Sequence, residues 1–225
     1  SPSTDWFKMF SLEGQAAAVT GGGGVLCSAI ALSLAAAGAT VAVLDNNAQA
    51  AARSAEAIVA SGGKAFPLTC DVTDRASLQA ACDELLKQCG KVDILINGAG
   101  GNHPRATTSP ELSFFDLELA AVESTFRLNF TGTFLACQVF ARPMAAQTGG
   151  AIVNIASMSA LRPLTRIPAY SAAKSAVANF TQWLAVHLAQ EYSPQVRVNA
   201  IAPGFFLTQQ NRYLLIDEKS GEPTP

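Results

Sequence analysis

Apolar positions along this chain fall into two alternating kinds of stretch. Short β-branched or alanine-rich runs stand at AAAVT (16–20), TVAVLD (40–45), KAFPLTCDV (64–72), VDILIN (92–97), GAIVNIAS (150–157) and VRVNAIAPG (196–204), and each predicts a strand. Between them lie longer stretches with helical spacing. SAIALSLAAAG (28–38) ends on a glycine, and AQAAARSAEAIVASGG (48–63) ends on two. RASLQAACDELLKQCG (75–90) carries Leu78, Ala81, Cys82, Leu85 and Leu86 on one stripe. A long helical stretch over 114–147 and AYSAAKSAVANFTQWLAVHLAQEY (169–192) complete the series.

Regular strand–helix alternation predicts parallel strands joined by right-handed crossovers. The strands are apolar nearly throughout, as expected where helices cover both faces of a sheet. The expected fold is therefore α/β: a Rossmann-type doubly wound parallel sheet flanked by helices on both faces, as a single domain over 1–225. In such sheets ligands bind outside the carboxyl ends of the strands. Those ends here are Thr20–Gly24, Asp45, Asp71, Asn97–Gly100, Ser157 and Pro203–Gly204, all polar or glycine-rich.

Composition narrows the picture further. Apolar residues make up 49 % of the 225 and charged residues 14 %, which favours a folded domain over a disordered chain. A net charge of −2 predicts no basic face for nucleic acid. The most apolar stretch, 29–44, is broken by Ser33, Gly38 and Thr40, so no membrane span is expected. The N-terminus lacks the basic and apolar regions of a signal peptide. Cys27, Cys70, Cys82, Cys89 and Cys137 form no CxxC pair and no Cys/His cluster, so no metal is expected and a cytoplasmic location fits. The chain opens on Ser1 and closes on a polar stretch containing proline, so one or both termini, the C-terminal part above all, are expected to be incomplete.

The chemistry-bearing positions begin with TGGGGVLC (20–27). Glycines after the first strand let a pyrophosphate approach the backbone at a helix N-terminus. Asp45 stands 24 residues after Gly21, where a carboxylate accepts hydrogen bonds from ribose hydroxyls and repels a 2′-phosphate. No Arg or Lys lies in 20–28 or 45–49, so NAD is expected rather than NADP. The competing reading of Asp45 is a turn or cap residue. Asp71 could meet the adenine amino group, and Asn97–Gly100 offers a second close backbone approach. Tyr170 and Lys174 are four residues apart and share one helical face. A free phenol titrates at about 10, and a neighbouring ammonium together with an oxidised nicotinamide is expected to lower that value toward the working range. Ser157, 13 residues before Tyr170, can hydrogen-bond a substrate oxygen.

Together these motifs resemble the short-chain dehydrogenase/reductase family over roughly 12–210, through Thr20-Gly21, Asp45, Asp71-Val72, Asn97-Gly98-Ala99-Gly100, Asn129 in RLNFTGTF, Ser157, Tyr170, Lys174 and PGFFLT (203–208). The resemblance implies that Tyr170 exchanges the proton, Lys174 binds the nicotinamide ribose and lowers the Tyr170 pKa, Ser157 orients the reacting oxygen, and Asn129 holds a water of the proton relay. A satisfied buried amide is the alternative for Asn129. It also implies cofactor contacts from Thr20, Gly21, Gly23, Gly24, Val25, Leu26, Asp45, Asp71, Val72, Asn97, Gly98, Ala99, Gly100, Tyr170, Lys174, Pro203, Gly204 and Thr208. A homo-tetramer or homo-dimer and a further strand after 225 follow from the same resemblance. The chain departs from the family's Thr-Gly-x-x-x-Gly-x-Gly pattern at Val25 and Cys27, where glycines are expected.

The loops expected around the nicotinamide carry Asn102, His103, Arg105, Arg162, Arg166, Gln209, Asn211 and Arg212. Amides can meet hydroxyls and a guanidinium can clamp a carboxylate, so Asn102, His103, Arg162 and Asn211 are the candidate substrate residues. GGNHP and PGFFLTQQNRYLLIDE are similar to the D-mannonate oxidoreductase (fructuronate reductase) branch. The expected reaction is NAD-linked interconversion of a secondary alcohol and a ketone on a small polar, anionic sugar acid. Reduction of another carbonyl class (a 3-oxoacyl thioester or a polyol) and a non-catalytic NAD-binding module are the alternatives. A methyltransferase would have no use for Tyr170 and Lys174.

Overall fold

The structure, a computed structural model, describes residues 9–147, 149–162 and 164–205. Six strands form one parallel sheet: β1 (Ala16–Thr20), β2 (Thr40–Asp45), β3 (Lys64–Thr69), β4 (Ile94–Asn97), β5 (Gly150–Ile155) and β6 (Val196–Ile201). Their spatial order is β3-β2-β1-β4-β5-β6, and every neighbouring pair is parallel. The order reverses between β1 and β4, which places a ligand crevice at their carboxyl ends. Pro67 lies in β3, on the outside of the sheet, where a residue without an N–H is tolerated.

The period of two along the strands sorts side chains between two cores. Ala17, Val19, Val41, Val43, Ile94 and Ile96 face helices α1 (Val25–Ala36) and α2 (Ala48–Ala60), with Ala31, Ala51 and Ile58 closing that layer. Ala16, Ala18, Ala42, Leu44, Leu95 and Ile152 face α3 (Arg75–Cys89), α5 (Gly132–Ala146) and α6 (Pro168–Glu191), meeting Leu78, Leu85, Phe140, Met144 and Leu184. Helix ends follow local chemistry. Asn47 caps α2 by accepting from Ala50 N–H at 3.1 Å, Asp74 caps α3 through Ala76 N–H at 2.9 Å, and Gly90 ends α3 at φ 76°.

Several boundaries differ from those the pattern predicts. Residues 70–72 leave the third strand because Asp71 Oδ1 accepts from both the amide (2.8 Å) and the hydroxyl (2.9 Å) of Thr73, closing a turn. The fifth strand stops at Ile155 because Ser157 turns to cap the short 3₁₀ turn Met158–Ala160. The expected continuous helix over 114–147 is broken. It divides into a 3₁₀ turn (Phe114–Asp116), α4 (Leu119–Phe126), a π-helical turn (Arg127–Thr131) and α5.

The first turn of α1 approaches β4 where Gly98 has no side chain. A Cβ on Gly98 would overlap the Cys27 sulfur, while the Cys27 Cβ itself stands 3.6 Å from that point. Gly98→Ala should therefore destabilise the protein by about 1–3 kcal/mol through overpacking. In a Cys27→Ala background the same change should cost at least about 1 kcal/mol less. A double-mutant cycle by urea unfolding measures this coupling. Strict additivity would show that the sulfur does not press on Gly98.

Candidate active site

Backbone brackets at the strand ends build the site. The Thr20 hydroxyl accepts from Gly98 N–H at 3.1 Å and Ala99 N–H at 3.2 Å, tying β1 to the turn after β4. Gly21 adopts φ 65°, and a Cβ there would stand 2.8 Å from Ala99 Cα. Asp45 Oδ2 accepts from Gly23 N–H at 3.0 Å and Oδ1 from Asn47 N–H at 2.9 Å, so the carboxylate is anchored against the glycine loop. Each carboxylate oxygen has two lone pairs, which leaves acceptor capacity for a ligand hydroxyl. Gly24 is the N-cap of α1, in extended backbone, and Val25 opens the helix with its side chain 58 % exposed. Leu26 packs at the edge of the α1/α2 core and Val72 is buried over Gly132. Pro203 O accepts from Met158 N–H at 2.9 Å, continuing the β5–β6 pairing, and Gly204 is exposed.

Ser157, Tyr170 and Lys174 meet beyond the end of β5. The Lys174 ammonium is buried and donates to Ile155 O at 2.7 Å, and it lies 5.6 Å from the Tyr170 ring centroid. Burial lowers its pKa to about 8, opposed by the nearby Cys27 thiol. The Cys27 thiol is itself pushed up to about 11, chiefly by burial. The protein's own groups do not lower Tyr170. Its phenol lies above its ordinary value because burial outweighs the opposing hydrogen bond with Ser157. The ammonium alone does not bring it into the neutral range.

Asn129 sits in the π-helical turn and is fully buried. Its amide grips the Gly101 peptide from both sides, accepting from N–H at 3.2 Å and donating to O at 2.7 Å, and also donates to Thr125 O at 2.8 Å. A Cβ on Gly100 would stand 2.6 Å from Asn129 Oδ1 and 3.3 Å from Lys174 Nζ, so a bare backbone here lets both groups crowd the loop. π-Turns of this kind concentrate at functional sites.

The structure spreads the candidate substrate residues. Asn102 donates to Thr107 Oγ1 at 2.7 Å, and its own Oδ1 is buried without a partner among the described residues. His103 caps the turn Pro104–Ala106 through Nδ1. Arg105 pairs with Glu118 at 2.8 Å, while Arg162 is exposed on the loop after Met158–Ala160. Arg166, at φ 75°, accepts from Thr108 N–H through its carbonyl and so joins the two loops. Thr208 and Asn211 lie outside the described residues. Sequence reasoning did not single out Asn154 or Thr181, which lie hydrogen-bonded beneath this cluster. The available signal was an amide inside the apolar run GAIVNIAS, since a buried amide demands partners.

Among the described residues, no group of three or more His, Cys, Asp or Glu could hold a metal ion, and no helix is long and apolar enough to cross a membrane. One groove of about 500 Å³ lies between α5 and α6, and another of about 540 Å³ lies between α6 and the loops that carry Thr108, Ser159 and Arg166.

The family model for short chain dehydrogenases matches residues 15–219. An uncharacterized oxidoreductase of Bacillus subtilis (strain 168) is 49 % identical over 216 residues, covering 92 % of this chain and 77 % of that protein. A D-threitol dehydrogenase of Mycolicibacterium smegmatis is 39 % identical over 200 residues, covering 89 % of this chain and 73 % of the other. A solved structure of a candidate D-mannonate oxidoreductase from Haemophilus influenzae, with bound NAD, is 43 % identical with a TM-score of 0.88. It covers 98 % of this chain and 81 % of its own.

The buried ammonium makes a prediction about stability. Lys174 titrates at about 8 in the fold against 10.5 ordinarily, so between those values the unfolded chain binds the extra proton and stability rises with pH. Below pH 8 the cost is fully present, on the order of 3 kcal/mol at ~1.4 kcal/mol per unit. Wild type should therefore gain up to about 3 kcal/mol relative to Lys174→Met between pH 7 and 10. Urea unfolding of both proteins at several pH values checks this, and parallel curves would refute it.

Proposed function

The chain belongs to the short-chain dehydrogenase family and is an oxidoreductase of CH–OH and carbonyl groups, and from that premise we propose that it is an NAD-dependent enzyme of a sugar acid such as D-mannonate/D-fructuronate. The observation that carries the reading is the meeting of Ser157, Tyr170 and buried Lys174 beside the bare backbone of Gly100. The residues also fit the cofactor. Asp45 is held against the glycine loop by Gly23 N–H, where it receives ribose hydroxyls, and no Arg or Lys stands in 20–28 or 45–49 to receive a 2′-phosphate. The N-terminus of α1 at Gly24 and Val25 receives the pyrophosphate. Asp71 and Val72 would border the adenine and Asn97–Gly100 with Pro203–Gly204 the nicotinamide end, to which the assignment adds Thr208 from its place in the sequence motif.

NAD, when bound, would supply the hydride acceptor for alcohol oxidation. Tyr170 takes the hydroxyl proton as the carbon gives up its hydride, and Ser157 holds the reacting oxygen. Burial raises the Tyr170 phenol above its ordinary value and so opposes this proton transfer. Positive charge at the Lys174 ammonium and at the oxidised cofactor is what favours the phenolate. Asn129 holds the Gly101 peptide, and thereby the wall beside Gly100, in register with Lys174.

The sugar-acid substrate rests on the likeness to the Haemophilus influenzae protein and on the loop chemistry. By residue type, Asn102, His103, Arg162 and Asn211 offer amides, an imidazole and a guanidinium, groups suited to a polyhydroxylated acid. The reading also includes a homo-tetramer or homo-dimer. The ladder of Trp183 over His187 (ring centroids 4.7 Å apart) and Tyr192 gives α6 an exposed aromatic face for it, which sedimentation of the full chain tests.

Tyr170→Phe should lower NAD-linked oxidation by about 10²–10⁴-fold while NADH binding stays within about twofold. Full activity in that variant would sink the assignment. A screen for NADH production over aldonates, uronates and polyols should find turnover on an aldonate. Tighter binding of NADPH than NADH, measured by fluorescence titration, would overturn the coenzyme assignment.

A further inference from the structure

Beneath the proposed site runs a buried chain of side-chain hydrogen bonds that no step above uses. Asn97, at the end of β4, donates from Nδ2 to Asn154 Oδ1 at 2.8 Å and to Cys137 Sγ at 3.2 Å. Asn154, in β5, donates from its own Nδ2 to Thr181 Oγ1 at 2.9 Å. Thr181, on α6, donates to Val177 O at 2.8 Å. All four side-chain members are nearly excluded from water, at 0–5 % exposure.

The chain runs in one direction in the structure. Thr181 has one hydroxyl proton, and it is committed to Val177 O. The hydroxyl can then only accept from Asn154, so the Asn154 amide must face it with nitrogen and face Asn97 with oxygen. Asn97 in turn must present its nitrogen. An amide flip at either residue would break the run, so it holds one arrangement of β4, β5 and α6.

Three of the four members also adjoin a group of the site. Asn97 precedes Gly98, Ala99 and Gly100, the first two of which are bracketed by Thr20. Asn154 precedes Ile155, whose carbonyl receives the Lys174 ammonium. Thr181 follows Lys174 by seven residues, two helical turns along the same face of α6. The helix is thus fastened to β5 at two points, Lys174 on Ile155 O and Thr181 on Asn154. The second point contains no group that could take part in the chemistry.

We propose that Asn154 and Thr181 are positioning residues, whose hydrogen bond sets the height of α6 over β5 and so the placement of Tyr170 and Lys174 against substrate and cofactor. The inference rests on the reading of Tyr170 as the proton-exchanging group. A chain with no such task could fill this space with apolar side chains at no loss, since a satisfied buried polar pair adds little stability over well-packed hydrophobic ones.

Thr181→Val keeps the volume and removes the hydroxyl. It should lower kcat by about 10-fold or more, because small misplacements of reacting groups are costly. NADH affinity should stay within about twofold, and the lower limb of the pH–rate profile should move upward as Lys174 supports the phenolate less well. Thr181→Ser restores the hydroxyl and should recover both kcat and the profile. If Thr181→Val does not fold, Thr181→Cys, with a weak donor and acceptor, should still lose about fivefold or more in kcat. A Val or Cys variant that loses only thermal stability, with kcat and pH profile as in wild type, would overturn the inference. Tyr170→Phe run alongside separates the two claims. If it is silent while Thr181→Val is fully active, the positioning role alone falls. If it is active, the catalytic reading falls first.

Discussion

Lys174 is buried with its ammonium 2.7 Å from one backbone carbonyl, and keeping a charge out of water costs several kcal/mol unless the surroundings repay it. Much of the local architecture answers that demand. The strand β5 ends so that Ile155 O points at the ammonium rather than into a ladder. Gly100 lacks the side chain that would occupy its space. Asn129 pins the Gly101 peptide beside it, at the expense of a regular α-helix, so the π-turn and the buried charge are two sides of one packing problem. A strained charge of this kind persists only where the fold around it is over-determined, which accords with polar groups poised for chemistry.

A common logic runs through the strand ends. Thr20, Asp45, Asp71 and Asn129 are polar residues that the motif pattern points to; Thr20, Asp45 and Asn129 are hydrogen-bonded to backbone of a neighbouring turn and Asp71 to that of its own. These bonds shape the crevice before a ligand arrives, so that little ordering is left to be done on binding. The parallel sheet makes this possible, because it delivers all six carboxyl ends to one rim where such cross-links are short.

The alternation of apolar runs carried the strand count and the doubly wound fold, because periodicity reports which faces are buried and parallel pairing follows from the intervening helices. Strand ends were legible only to within a few residues, since Asp71 and Ser157 divert the backbone through side-chain bonds that periodicity does not register. The break in 114–147 was hidden for a different reason. Asn129 finds its partner at Gly101, 28 residues away, and no local signal announces a contact of that range. The Tyr170–Lys174 pairing was visible as spacing, but the direction of the Tyr170 shift was not, because burial is a tertiary quantity. Asn154 and Thr181 lay unremarked within apolar surroundings for the same reason: their meaning is each other.

The irregular glycine motif is best understood through steric exchange. Glycine at the helix position of the family pattern serves close packing of helix on strand, yet Cys27 is buried there without distorting α1. The missing volume has been moved to the facing residue, Gly98, whose bare Cα accepts the sulfur. Gly21 and Gly22 stand against Ala99 and Val43, and Gly23 against Ala50, so three of the four glycines are demanded by neighbours rather than by freedom alone. Val25 then needs no glycine, since its side chain stands at the surface of the loop and meets none of these walls. What the pattern encodes is therefore a set of close approaches, and this chain satisfies them with a different assignment of which partner gives up its side chain.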